Sequence, residues 1–251
     1  MTLALAPVLT PPAELDAQLR EHGFAVLDAA GVRGWTGCTP RELQDWLPSW
    51  DRLAPDGYLK DGGRYRRRRH SCFVVSSEGG GAAVQPVPHR AHWQPVEYNA
   101  LHGGMERWFE PMEPAVAASP AWGRLLAALG RTASALKGAQ PWYAEAHQFR
   151  IDTTDGIGRP TPEGAHRDGV DLVAVFLVAR QGIKGGETRV FQADGPAGMR
   201  FTLTEPWSVL LLDDERVIHE STPIQPVGEA GHRDTLVVTL RAGGFQGPAA
   251  A

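Results

Sequence analysis

The sequence predicts a mainly β fold with flanking helices, and two observations carry that prediction. From about Trp142 onward, short apolar and β-branched runs recur between Gly, Pro and Asp turn signals, the texture of a sandwich or barrel. Before that point the amphipathic segments follow a helical period instead. The 251 residues, 42% hydrophobic and 22% charged, are enough for one good core and too few to require two. A single domain over 1–251 is therefore expected: a helical, irregular part at 1–141, the β core at 142–241, and a tail at 242–251.

In chain order, Pro12–Glu21 spaces its apolar residues as a helix does, and Gly23 then opens the strand-like run Phe24–Leu27. Thr39, with Glu42 close behind, caps a helix that begins at Pro40. Ser119-Pro120 starts another, with Trp122, Leu125, Leu126 and Leu129 on one face and Gly138 as its stop. The β-type runs are Glu145–Ile151, Asp171–Ala179, Glu187–Phe191, Trp207–Leu212, Val217–Ile218 and Thr235–Leu240. The glycine stretch Ser76–Ala83 lacks the Gly-Lys-Ser/Thr of a phosphate loop and reads as a surface loop or a lid.

Composition narrows function. Twenty-five basic against 29 acidic residues give a net charge of −4, a poor footprint for nucleic acid. The longest apolar run, Leu172–Ala179, is eight residues, well short of the roughly 20 that span a bilayer. The N-terminal segment has no basic n-region and its apolar stretch stops at Pro11-Pro12, which argues against a secretory signal. Two cysteines, Cys38 and Cys72, are able to pair but do not make a disulfide scaffold. A cytoplasmic protein without nucleic-acid or membrane partners is expected; oligomeric state is not legible.

The chemistry concentrates in His166-Arg-Asp168, followed 51 residues later by His219. Two positions apart on a strand or its end, His166 and Asp168 share a face, and His219 closes another β-type run. Two imidazoles and a carboxylate leave three positions of an octahedral ion open, as non-haem Fe(II) oxygenases require. Fourteen residues after His219, Arg233-Asp-Thr235 opens a strand. A buried arginine there can grip a carboxylate with two nitrogens, and the Thr235 hydroxyl shares its face. His232 competes with His219 as third ligand but follows a loop glycine.

These residues, with Ile183-Lys-Gly-Gly-Glu-Thr, Leu212–His219 and Thr222-Pro-Ile, resemble the Fe(II)/2-oxoglutarate-dependent dioxygenases, and within them the bacterial L-amino acid hydroxylases such as the isoleucine dioxygenases. The resemblance covers roughly residues 142–241. It implies a double-stranded β-helix (jelly-roll, cupin-like) core, with Fe(II) on His166, Asp168 and His219, and 2-oxoglutarate held by Arg233 and Thr235. It further implies O2 as co-substrate, release of succinate and CO2, and an amino acid or N-substituted amino acid as the small-molecule substrate. Asp168 stands where the halogenase variant has Ala or Gly.

The arginine run Arg64–Arg69 reads either as a solvated basic segment or as the cation for a substrate carboxylate. Alternation puts Arg66 and Arg68 on one side and Arg67 and Arg69 on the other, and the pattern alone does not select the pair. Likewise Gln148 and Arg150 alternate with His147 and Phe149. Arg66, Arg68, Gln148 and Arg150 are put forward as substrate-binding residues. His89 and His92, in a proline-rich stretch without a visible partner, are expected to be structural or exposed. Two other classes remain: a non-enzymatic metal-retaining β-barrel binding protein or sensor, and a cupin-type metalloenzyme that needs no 2-oxo acid. Neither requires Arg233.

Overall fold

The computed structural model describes residues 5–78 and 81–248. The N-terminal part begins with α1 (Leu15–His22), β1 (Phe24–Leu27), α2 (Ala29–Thr36) and α3 (Pro40–Asp45). A long hairpin follows, β2 (Arg66–Glu78) and β3 (Gly81–Pro86), then α4 (Pro114–Ala117) and α5 (Pro120–Lys137). The remaining strands are β4 (Trp142–Asp152), β5 (Leu172–Gln181), β6 (Ile183–Gly185), β7 (Thr188–Gln192) and β8 (Gly198–Phe201). They continue with β9 (Val209–Asp213), β10 (Val217–Ser221), β11 (Ile224–Pro226) and β12 (His232–Ala242).

The helix starts follow their side chains. Thr39 and Glu42 form a reciprocal capping box on α3, and Ser119 accepts the Trp122 N–H at the head of α5, caps of about 1 kcal/mol each. Gly23 closes α1 at a φ of +77°, and a Cβ there would meet Val217 Cγ1 at 2.8 Å.

Seven strands form an antiparallel sheet in the order β1-β9-β5-β12-β4-β2-β3; β10-β7-β8 and β11-β6 form smaller sheets. The two faces of the large sheet are chemically distinct. One carries Ala144, Ala146, Leu172, Ala174, Phe176, Leu236, Val238 and Leu240 against the helices, with Trp46 and Trp122 edge-on at 5.9 Å. On the other face Val173, Leu177, Leu210 and Leu212 pack with Val190 of β7, Phe201 of β8 and Val217 of β10. That face also carries the polar residues of the site.

Four features depart from the sequence reading. The segment before residue 142 is not only helical and irregular: the expected strand Phe24–Leu27 is β1, and β2 and β3 join it in the large sheet. The arginines masked β2, since Arg66 and Arg68 are buried charges on a strand paired to β4. His166 and Asp168 sit in the loop before β5, not on a strand, and only a single bridge ties His166 to His219. The short elements α2, α4, β6, β8 and β11 are too brief to show a period. The glycine stretch read as a loop or lid is spanned by the β2–β3 hairpin, Glu78 opposite Gly81; residues 79 and 80 lie outside the described residues. Cys38 and Cys72 are both buried and free. No described helix is long and apolar enough to cross a membrane.

Candidate metal centre and its pocket

The smaller sheets bring His219 to the loop that carries His166. Each of these residues donates its backbone N–H to the other's carbonyl at 3.0 Å. Nε2 of His166 lies 3.8 Å from Oδ1 of Asp168, and Nε2 of His219 lies 3.8 Å from Oδ2. The three donor atoms fall within 4.8 Å of one another. Metal–imidazole bonds of about 2.1 Å allow two donors on one ion to stand up to about 4 Å apart, so the gap suits one cation.

The His166 Nδ1–H donates to the Gly164 carbonyl at 2.9 Å, which turns Nε2 toward the gap. Burial alone would lower the His166 pKa, but Asp168 and Glu163 raise it, so a cation bound there displaces a proton. Burial and the neighbouring His166 push the His219 pKa well down, so this imidazole is neutral.

The Asp168 loop is held from several sides. Asp214, buried just past β9, accepts the backbone N–H groups of Asp168 (3.1 Å), Gly169 (2.8 Å) and Val170 (3.2 Å). Burial and repulsion from Asp168 raise the Asp214 pKa to about 7. Gly169 has a φ of +74°, and a Cβ there would enter the Tyr98 ring at 2.4 Å; the tight turn that presents Asp168 needs glycine. Gln94 donates to Asp168 Oδ1 at 3.1 Å.

Arg233 opens β12 and is 4% exposed, yet it pairs with no carboxylate among the described residues. Burial and nearby Arg180 lower its pKa to about 10. Thr235 and Val237 follow on the same face and line one cavity with the His-Asp-His group. A buried guanidinium without an anion is costly unless a ligand supplies one.

A sequence model of the family described as 2OG-Fe dioxygenase matches residues 47–239. The chain belongs to the 2OG-Fe dioxygenase family. It is similar to the crystal structure of a bsmA homolog from Methylobium petroleophilum PM1, at 54% identity over 97% of this chain and 98% of that one, with a TM-score of 0.91. At 16% identity, IDO from Bacillus thuringiensis (96% and 99% covered, TM-score 0.74) and the Fe(II)/α-ketoglutarate-dependent dioxygenase TqaL (92% and 86%, TM-score 0.70) share the fold. No curated protein matches. The chain is thus a non-haem iron oxygenase that uses Fe(II), 2-oxoglutarate and O2, and its core is the jelly roll of that family.

The dioxygenase cavity, about 140 Å³, extends from the His-Asp-His group and Arg233 to a polar end built on β2 and β4. The register pairs Arg66 with Ile151, Arg68 with Phe149 and His70 with His147, so these side chains share the inner face. Arg66 and Arg68 are buried in the cavity wall. Arg66 Nε donates to buried Asp56 at 2.7 Å, with Arg68 Nη1 3.8 Å from the same oxygen. Burial alone would raise the Asp56 pKa, but Arg68 and Arg66 hold it down. Arg66 Nη2, Arg68 Nε and Arg107 Nε are buried without partners.

Gln148 and Arg150 do not reach this cavity. Gln148 donates to Ser49 on the helical side, and Arg150 grips Asp234 at 2.7–2.8 Å on that same side. His147 and Phe149 line the cavity instead. Both faces of β4 carry polar side chains, so alternation alone could not orient it. His232 lies 3.6 Å from Asp234, in the groove with Arg150 and away from the His-Asp-His group.

His92 is neither exposed nor isolated. Its Nδ1–H donates to Glu145 at 2.7 Å, and His70 Nε2–H donates to the same oxygen at 2.9 Å. Burial alone would raise the Glu145 pKa, yet His92 and His70 hold it well below the carboxylate range. With His147 these residues form a second group of potential donors within 4.8 Å. Part of this donor set is engaged: Glu145 Oε2 accepts both N–H groups and Arg68 Nη2 donates to His147 Nδ1 at 2.7 Å, whereas His70 Nδ1 is buried without a partner. The Arg68 guanidinium beside this group repels a second cation, so the His-Asp-His group is the better metal site. His89 is exposed, and its Nε2–H donates to the Phe109 carbonyl at 2.7 Å. Gln94, Asn99, Arg107 and Glu163 also line the cavity; they come from aperiodic segments that give no sequence signal.

Proposed function

We propose that this dioxygenase hydroxylates an unactivated aliphatic C–H of a free or N-substituted L-amino acid. In this reading His166, Asp168 and His219 hold the iron, and Arg233 with Thr235 holds the far carboxylate of 2-oxoglutarate. The bound iron supplies the oxidative decarboxylation of 2-oxoglutarate to succinate and CO2 and the transfer of one oxygen atom to the C–H bond. The chain contributes orientation: it fixes two anions at opposite ends of one cavity and presents one C–H to the metal.

The observation that carries the reading is Arg66, a buried cation in the cavity wall with Nη2 left without a partner. Arg233 is committed to the co-substrate, so a second carboxylate needs a second fixed guanidinium, and Arg66 with Arg68 provides it. Glu163 adds the opposite charge: its side chain is 14% exposed, and Oε2 is buried with no donor. A buried, unsatisfied carboxylate oxygen calls for a donor from the occupant, which an amine offers.

The test is a panel of free L-amino acids and their N-acyl derivatives, incubated with Fe(II)-loaded protein, 2-oxoglutarate and ascorbate. Succinate formation coupled to a mass gain of one oxygen on a panel member is expected. Decarboxylation with no oxygenated member would move the substrate to another class. Absence of 2-oxoglutarate consumption would favour the sensor or cupin-type reading.

A further inference from the structure

We propose that Gln94 is a positioning residue that fixes Asp168 as a one-oxygen metal ligand and ties it to Arg107 at the polar end of the cavity. The inference rests on Asp168 being an iron ligand, as proposed above. Gln94 is buried at 7% exposure, and its amide orientation follows from donor arithmetic. Its Oε1 receives Arg107 Nη2 at 2.9 Å and Asn99 Nδ2 at 3.0 Å. A guanidinium only donates, so this end of the amide must be the oxygen. The amide nitrogen is thereby turned to Asp168 Oδ1, 3.1 Å away.

Oδ1 lies 3.8 Å from His166 Nε2 and Oδ2 3.8 Å from His219 Nε2; the Gln94 bond takes one lone pair of Oδ1, so Oδ2 is the oxygen with both lone pairs left for the ion. Arg107 is itself anchored: it is 2% exposed, and its backbone pairs with His92 in both directions at 2.9 and 3.0 Å. Its Nε faces no partner. The chain Arg107–Gln94–Asp168 therefore connects a cationic wall of the pocket to the carboxylate that meets the metal. Contacts of this kind typically change metal affinity by 10–100-fold when removed.

The through-space effect of Arg107 has the opposite sign from the connected one, which makes the proposal testable. Removing a nearby cation should strengthen binding of Fe(II) by Coulomb's law, whereas losing the anchor of Gln94 should weaken it. Anaerobic calorimetric titration of Fe(II) into the metal-free full chain, without 2-oxoglutarate, reads this directly. Gln94→Met is expected to weaken Fe(II) binding on the order of 10–100-fold. Arg107→Met should weaken it too, and the double variant should lose less than the product of the two single losses. Arg107→Lys keeps the charge without the guanidinium fork and should also weaken binding.

Gln94→Met within twofold of wild type, tighter binding in Arg107→Met, or independent losses in the double variant would each overturn the proposal. Thermal unfolding of every variant is recorded alongside. Should Gln94→Met not fold, the sign of the Arg107→Met effect decides. His166→Ala is the control for the ligand set. If it binds Fe(II) as wild type does, the proposed metal site is wrong, whereas its loss beside an unaffected Gln94→Met rejects the positioning role alone.

Discussion

Arg66 donates to Asp56 across 2.7 Å with both side chains buried, while the second terminal nitrogen of Arg66 has no partner. The Asp56 bond fixes the guanidinium in place without neutralising the whole wall, because Arg68 and Arg107 also line the cavity. A prepositioned cation with one open donor is suited to an anionic occupant.

Single changes along the arginine run should therefore divide by face. Arg66→Ala and Arg68→Ala should raise KM for the amino acid strongly and also cost stability, since removing one partner of a buried pair costs about 3–5 kcal/mol. Arg67→Ala should be close to silent: that side chain is 44% exposed and 3.7 Å from Asp152, a pair worth about 0–1 kcal/mol. Arg69, held by Glu113 at 2.8 Å on the helical side, should lose modest stability and leave substrate KM unchanged. Steady-state kinetics and denaturant unfolding on the four variants test the split. Equal, mild effects would return the segment to a structural role.

Replacing Arg233 isolates the co-substrate end. Arg233→Ala should raise KM for 2-oxoglutarate, by an amount corresponding to about 3–5 kcal/mol for a lost buried charge pair. Arg233→Lys should rescue only in part because it lacks the fork, and Thr235→Val should show a smaller loss of the same kind. A change in amino acid affinity with 2-oxoglutarate untouched would mean that the two carboxylate ends have been exchanged.

The parts legible in the sequence are those set by local order. His166-x-Asp168 and Arg233-x-Thr235 each place two functional groups within three residues, and the C-terminal strands stand out as short apolar runs because both faces of the large sheet are packed. The polar end of the pocket is different. On β4 the inward Glu145 and His147 and the outward Gln148 and Arg150 are all polar, so no hydrophobic pattern marks the face. Only the pairing with β2 decides it. His92 finds Glu145 across 53 positions, and Gln94 finds Asp168 across 74; no local period encodes contacts of that range.

The metal ligands should separate from the neighbouring histidine. His166→Ala, Asp168→Ala and His219→Ala are each expected to abolish turnover and bound iron while leaving the fold largely intact, since all three lie at the cavity and outside the hydrophobic clusters. His232→Ala, on the opposite side beside Asp234, should retain iron. Metal analysis of the purified variants, with circular dichroism for the fold, is sufficient. Retention of iron and activity by any of the first three would remove that residue from the site.

The pH dependence of stability should reveal the neutral imidazoles. Burial holds the His92 pKa down at about 4, below an ordinary value of 6.5. On acidification the unfolded chain then takes up a proton that the native state refuses, so this contribution is intact above about pH 6.5 and is lost as pH falls toward 4. At about 1.36 kcal/mol per unit, the full window is on the order of 3 kcal/mol. Asp214, raised to about 7, acts in the opposite sense, because its native state keeps a proton that the unfolded chain releases. The total slope therefore mixes signs, and a difference measurement is needed. His92→Asn places an amide N–H near the position of Nδ1 and can still donate to Glu145 without titrating, while Asp214 is common to both proteins. Urea unfolding from pH 7 to pH 4 should show the variant gaining on wild type by a few kcal/mol, most of it between pH 6.5 and 4. Parallel stability curves would mean that His92 is not held neutral by its burial.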